Sequence, residues 1–244
     1  MNYAKHLVAA MGVIFLAGAV NTVSANLILV APEDFQGTGL GAVNTVLTMQ
    51  NSPSEKGCVG RSNAGCPTPP ATTAGPEAGD LIGGTLGGDE KTGASQTRTR
   101  SIADLGLTTA ANLRVVFNTN EPQNATDRNI TLNTLVLGIY NTSNALVFSA
   151  SLPAPIAFTG TETGIGNSGF VFGLTAAEAA AAQAFFGNTA NRIGLSASAT
   201  FSDGGPETFF VANTLHPVPE PASLLLLGSG LAGLGVWRWR KGQV

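Results

Sequence analysis

The chain has 244 residues, of which 43% are hydrophobic and 11% charged, against about 25% charged in an ordinary domain. Such a composition excludes a wholly disordered chain and leaves room for one large domain or two small ones. The formal net charge is −3, and residues 26–215 alone hold 14 acidic and 8 basic side chains, so nothing basic remains to grip a phosphate backbone and nucleic acid is not an expected partner.

In chain order, Met1 to His6 carry the amino terminus and Lys5. An uncharged apolar stretch runs from Leu7 to Val20, and Val23-Ser24-Ala25 supplies small residues after it. A positive start, a short apolar segment and a small-residue end describe a secretory signal peptide over residues 1–25. Signal peptidase would then cut between Ala25 and Asn26. The stretch is too short to span about 30 Å of hydrocarbon comfortably, which argues against an uncleaved membrane helix.

Asn26 to Val30 and Val43 to Met49 read as two strands around the turn cluster Gly37-Thr38-Gly39-Leu40-Gly41. This opening, through Val43-Asn44-Thr45-Val46-Leu47-Thr48, is similar to the mature start of other exported proteins to which no activity is assigned. From Asn51 to Ser95 five prolines sit among Gly, Ser and Thr, which predicts a long loop or insertion. Strand candidates then follow at Leu113–Phe117, Ile130–Tyr140, Ala145–Ser151, Gly169–Phe172, Arg192–Thr200 and Thr208–Val211, separated by Gly, Asn and Pro. Thr175-Ala176-Ala177-Glu178 fits a capping box before an Ala-rich run, with Gly187-Asn188 as the stop, so one helix is expected at about 175–186. The expected body, residues 26–215, is mainly β: an antiparallel β-sandwich-like domain with that single helix.

The chemistry is bounded by what the body lacks. The two histidines are His6 and His216, so residues 26–215 contain none. Ser-His-Asp and Cys-His catalysis in their usual forms are removed, as are the common zinc sites. No catalytic, cofactor-binding or metal-binding residue is assigned, and no cofactor is expected. Two carboxylates would suffice for glycoside hydrolysis. The adjacent pairs Glu33-Asp34 and Asp89-Glu90 read as solvated loop residues and specify no facing partners. Gly164-Ile165-Gly166-Asn167-Ser168-Gly169 spells a dinucleotide fingerprint but precedes the apolar run Phe170-Val171-Phe172, so a turn is expected there. Cys58 and Cys66 are the only cysteines, and in an oxidising exported setting they are expected to form a disulfide. Tyr140 is the body's single Tyr and both Trp lie near the carboxyl end, so the aromatic platforms common in sugar-binding modules are scarce. Thr97 and Thr99 are one isolated Thr pair, where an ice-binding surface needs a regular array.

Beyond residue 215 come Val218-Pro219-Glu220-Pro221, the uncharged stretch Ala222 to Val236 with its Leu224 to Leu227 run, and Trp237-Arg238-Trp239-Arg240-Lys241. The two prolines hold the chain extended. As a helix, residues 222–236 would rise ~22 Å. Trp237 and Trp239 would lengthen it as interfacial anchors, and Arg238, Arg240 and Lys241 would keep the terminus cytoplasmic. A single membrane helix is therefore expected at 222–236, with the body outside. The segment resembles the PEP-CTERM sorting signal of Gram-negative bacteria that make extracellular polysaccharide. That resemblance implies an inner-membrane-anchored precursor, an exosortase as processing partner, cutting near Pro219-Glu220-Pro221, and delivery to the cell surface or matrix.

The expected function is a non-enzymatic structural or adhesive protein of the envelope or biofilm matrix, with extracellular polysaccharide as a candidate partner. The rivals are a secreted carboxylate-based polysaccharide hydrolase and an ice-binding-type surface protein. Mass spectrometry of exported protein should find an amino terminus at Asn26, and an intact Met1 terminus would contradict the signal-peptide reading.

Overall fold

Strands form where β-branched and aromatic residues recur at every second position, and this pattern dominates the body. The computed structural model describes residues 25–33, 43–61, 66–67, 73–74, 80–82, 88–93, 95–121, 129–159 and 168–213. The strands are β1 (Ala25–Glu33), β2 (Thr45–Met49), β3 (Ser54–Arg61), β4 (Thr73–Ala74), β5 (Asp80–Ile82), β6 (Arg100–Ser101) and β7 (Leu113–Thr119). They continue with β8 (Asn129–Tyr140), β9 (Leu146–Ser151), β10 (Ile156–Thr159), β11 (Ser168–Leu174), β12 (Arg192–Thr200) and β13 (Glu207–Asn213). One α-helix, α1 (Ala176–Gln183), lies between β11 and β12.

The hydrogen-bonded order is β2-β13-β7-β11-β1-β9-β8-β12-β3-β5-β4, with β10 added to β8 and β6 to β12. Two separate sheets were expected. Instead β1 bonds on both edges, antiparallel to β11 from Leu27 to Glu33 and parallel to β9 at Ala25 and Asn26. The two halves therefore form one mixed sheet. It curls until β2, at one end of the order, lies against β3 and β12 near the other. The remaining seam is closed by residues 88–93: Gln50 N–H donates to Asp89 O, Lys91 N–H to Thr48 O, and Asp89 N–H to Lys56 O. Among the described residues the result is nearly a barrel, mainly β with one short α-helix.

Inward-facing side chains fill this barrel. Leu113, Val115 and Phe117 of β7 meet Leu135, Leu137 and Ile139 of β8, Ile193 and Leu195 of β12, and Phe209 and Val211 of β13. Phe117 stacks on Phe209 at 4.7 Å between centroids, and Phe158 of β10 stacks on Phe170 of β11 at 4.0 Å. Phe158 also sets its edge against Phe117 and Phe172, so the aromatic rings join the two halves of the sheet. α1 covers the end of the barrel where β7 starts. Ala179 and Ala182 are buried, and Gln183 Oε1 accepts from Ala110 N–H at 2.8 Å.

Three expectations need correction. The span 51–95 contains β3, β4 and β5, and β3 is an interior strand between β12 and β5. Its sequence, SEKGCVGR, is polar and Gly-rich, but Glu55, Gly57 and Val59 alternate onto the buried face. The strand expected at Val43 to Met49 begins at Thr45, and every residue of β2 is buried, with residues 89, 91 and 98 bonded along its free edge. In α1, Thr175 Oγ1 does accept from Glu178 N–H, at 3.4 Å. However, Gly187 is not left-handed, and the helix runs out after Gln183 into turns. No described helix is long and apolar enough to cross a membrane. The expected signal peptide and membrane helix fall outside the described residues, apart from Ala25.

Replacing Phe117 by Ala removes the ring on which Phe209 stacks and leaves a cavity at the junction of four strands. A loss of about 3–5 kcal/mol is expected in chemical denaturation.

Candidate functional site

The sorting residues Val218, Pro219, Glu220 and Pro221, and the anchor residues Leu224, Leu227, Trp237, Arg238, Arg240 and Lys241, lie outside the described residues. The expected signal-peptidase site, between Ala25 and Asn26, would fall at the first rung of β1. Ala25 pairs with Ala150 and is 3% exposed, while Asn26 pairs with Ser151 and faces solvent.

Cys58 and Cys66 are joined, as expected. Cys58 lies on β3, on the outer face of the sheet, and the bond draws Pro67 onto Gly138 of β8. A side chain at Gly138 would meet Pro67 Cγ at 3.0 Å. One strand over, a Cβ at Gly194 would come within 2.4 Å of Val59 O and 3.0 Å of the Tyr140 ring. Glycine at 138 and 194 thus leaves room for Pro67 and the Tyr140 ring. Tyr140 is wholly buried, and burial with the nearby Asp80 charge pushes its hydroxyl pKa well up.

Asp80 anchors a polar cluster. Its carboxylate pairs with Arg61 and accepts from both N–H and Oγ1–H of Thr99. Arg192 Nε–H donates to Thr99 Oγ1 at 2.6 Å and its Nη2 to Thr99 O. Asp80 and Thr99 are buried, and so is Thr97, whose Oγ1 accepts from Thr48 N–H at 3.1 Å. The Thr pair is therefore a set of interior tethers and offers no surface to ice.

The Asp89-Glu90 pair is also structural, contrary to the solvated-loop reading. Asp89 accepts from Asn51 Nδ2 and Lys56 N–H, and Glu90 Oε1 accepts from Cys58 N–H at 2.7 Å. Half-burial in the seam raises the Glu90 pKa. Glu33 ends β1, and Asp34 lies outside the described residues.

At the end of the barrel opposite α1 the fold assembles carboxyl groups that sequence reasoning passed over. Glu55 near the start of β3 is 2% exposed, and Glu207 at the start of β13 is 0% exposed. Glu121, just past β7, faces Glu207 from the other side. Neither oxygen of Glu207, nor Oε1 of Glu121, receives a well-aligned hydrogen bond from a donor outside the cluster, and the Asn51 backbone is the one group beyond the cluster that bears on the Glu55 carboxyl as a donor. Burial is the main cause of raised pKa values throughout, with neighbouring acids adding to it. Glu55 is pushed up to about 7, with Glu121 and Asp89 contributing, partly offset by the facing Glu207 carboxyl and the Asn51 backbone. Glu207 is pushed up to about 11, with Glu55 and Glu121 contributing. Glu121 is raised as well, with the Asp203 charge adding to burial. One sequence signal existed: Glu207 shares the period of Phe209 and Val211, which places it inside. Among the described residues no group of three or more His, Cys, Asp or Glu side chains is arranged to hold a metal ion.

With this geometry in place, the comparisons with known proteins are specific about one region. The family model for the PEP-CTERM protein-sorting motif matches residues 217–241. The chain therefore carries a PEP-CTERM protein-sorting motif, which implies an exported protein sorted by an exosortase and held at the membrane as a precursor. It matches no curated protein and no solved structure.

Two stability effects should separate the two clusters on the outer face. Serine at Cys58 and Cys66 opens a loop with a sequence separation of 8, for an expected loss of about 2.5 kcal/mol. Asp80→Ala removes the carboxylate partner of the Arg61 guanidinium, leaving it only Asn144 Oδ1, and should cost about 3 kcal/mol. Urea titrations of the variants test both values.

Proposed function

We propose that the protein is a non-catalytic structural or adhesive component of the Gram-negative cell surface or extracellular matrix. The observation that carries this reading is the sorting motif at 217–241, which implies export of the body. The body's construction supports it. The sheet is nearly a barrel with its β2–β3 seam bridged by residues 88–93, the Cys58–Cys66 bond cross-links β3, and residues 26–215 contain no His.

The geometry of the acids weighs against the polysaccharide-hydrolase alternative. A glycosidase needs two carboxyl groups about 5–10 Å apart across an open cleft, so that the sugar sits between them. Glu55 and Glu207 face each other directly inside the closed end of the barrel. Polar contacts along the exposed strand faces, rich in Asn, Thr and Ser, suit a matrix polysaccharide held by hydrogen bonds with few aromatic platforms.

Alanine at Pro219, Glu220 and Pro221 should leave full-length precursor in the inner-membrane fraction and deplete the surface and matrix fractions in immunoblots. Unchanged release would refute exosortase-dependent delivery. The released wild-type protein should then sediment with purified matrix polysaccharide and release no reducing sugar from it. Release of reducing sugar would establish the hydrolase reading.

A further inference from the structure

The buried carboxyl groups of Glu55, Glu207 and Glu121 have no part in sorting or in the proposed role. They sit where three chain segments are tied together. Ser52 Oγ donates to Asp203 Oδ1 and Ser202 Oγ to Asn51 O, joining the β2–β3 turn to the β12–β13 connection. Phe201 and Ser202 N–H groups both donate to Pro53 O. Gly205 N–H donates to Asn120 O, and Asp203 N–H to Glu121 Oε2, adding the end of β7. Beneath this web the Glu207 carboxyl lies within hydrogen-bonding reach of both the Glu55 and the Glu121 carboxyl groups, and its buried oxygens receive no bond from an ordinary donor. Two facing carboxylates are both acceptors and repel. One proton between them converts the repulsion into an O–H···O bond and removes a buried charge.

We propose that Glu207, Glu55 and Glu121 form a proton-holding latch, in which a proton carried by Glu207 pairs the facing carboxyl groups and pins the β2–β3 turn, the β12–β13 connection and the end of β7 together. The proton comes from solvent and returns to it when the latch opens. The charged groups that bear on the latch are acidic: Asp89 from the 88–93 segment acts on Glu55, and Asp203 from the β12–β13 connection acts on Glu121. Lys56, next along β3, projects to the opposite face and is exposed. An acid whose pKa is raised by folding binds its proton more tightly in the folded chain than in the unfolded one. The stability it confers is complete below the unfolded value of 4.5 and is lost as pH climbs, towards about 7 for Glu55 and about 11 for Glu207.

The full chain in mild detergent provides the test. Thermal unfolding of the wild type should fall by about 5 °C or more between about pH 5 and about pH 9. E207Q, which keeps the shape and supplies an N–H donor without a charge, should flatten that slope and unfold at a higher temperature than wild type at about pH 9. The infrared carbonyl band of an undissociated carboxylic acid should persist in wild type at about pH 8 and be missing from E207Q. The band on wild-type protein, together with E55Q and E121Q, keeps the idea testable if E207Q does not fold. Parallel pH profiles for wild type and E207Q, or no acid band at about pH 8, would overturn the latch. So would a rise in wild-type unfolding temperature on adding calcium chloride that E207Q abolishes, since the carboxylates would then hold a cation where a proton is proposed.

Discussion

The fold depends on β1 hydrogen-bonding along both of its edges. Its first two residues pair with β9 of one half and the rest with β11 of the other, so β1 spans both halves. It makes the two halves a single curled sheet and forces their inner faces into one core. Every other part of the interior follows. The aromatic rings of β7, β10, β11 and β13 meet because this curl brings them within stacking distance. The segment 88–93 is needed because the curl leaves β2 and β3 side by side without a ladder of their own. Once Asp89 and Glu90 supply acceptors there, few backbone groups in the seam face the interior unpaired.

The two ends of this barrel are sealed by different physics. Around α1 the contacts are small apolar side chains and neutral amide hydrogen bonds, which are indifferent to pH. At the opposite end the fold closes over acids. Asp80, also buried, shows the ordinary solution to an interior charge: a guanidinium and two further donors, the N–H and hydroxyl of Thr99. Glu55 and Glu207 are as deeply placed and lack that set of partners, so the same chain contains a satisfied interior carboxylate and two unsatisfied ones.

Much of the strand pattern was legible. Ile130–Tyr140, Arg192–Thr200 and Thr208–Val211 carry enough alternating aliphatic and aromatic residues to declare themselves, and the Thr175 cap announced α1. What was not legible depended on partners distant in sequence. β3 looks like loop because its Gly residues and charges suit a turn, and only the flanking β12 and β5 make it an interior strand. The role of Asp89 and Glu90 required knowing that residues near 50 and 90 share a seam. The carboxyl cluster draws residues 55, 121 and 207 from three segments that no local pattern connects. The sorting tail could be read because its signal is contiguous: motif, apolar stretch and basic end follow in order.

The position of β1 also bears on how the chain crosses a membrane. Its partners on either side are strands made more than a hundred residues later, so the ribosome must deliver most of the body before the first strand has anything to close against. Until then the leading segment stays extended and threadable. A barrel that depends on its earliest strand meeting late ones remains open during synthesis, and that delay suits a polypeptide that has to pass through a narrow translocation channel before it folds.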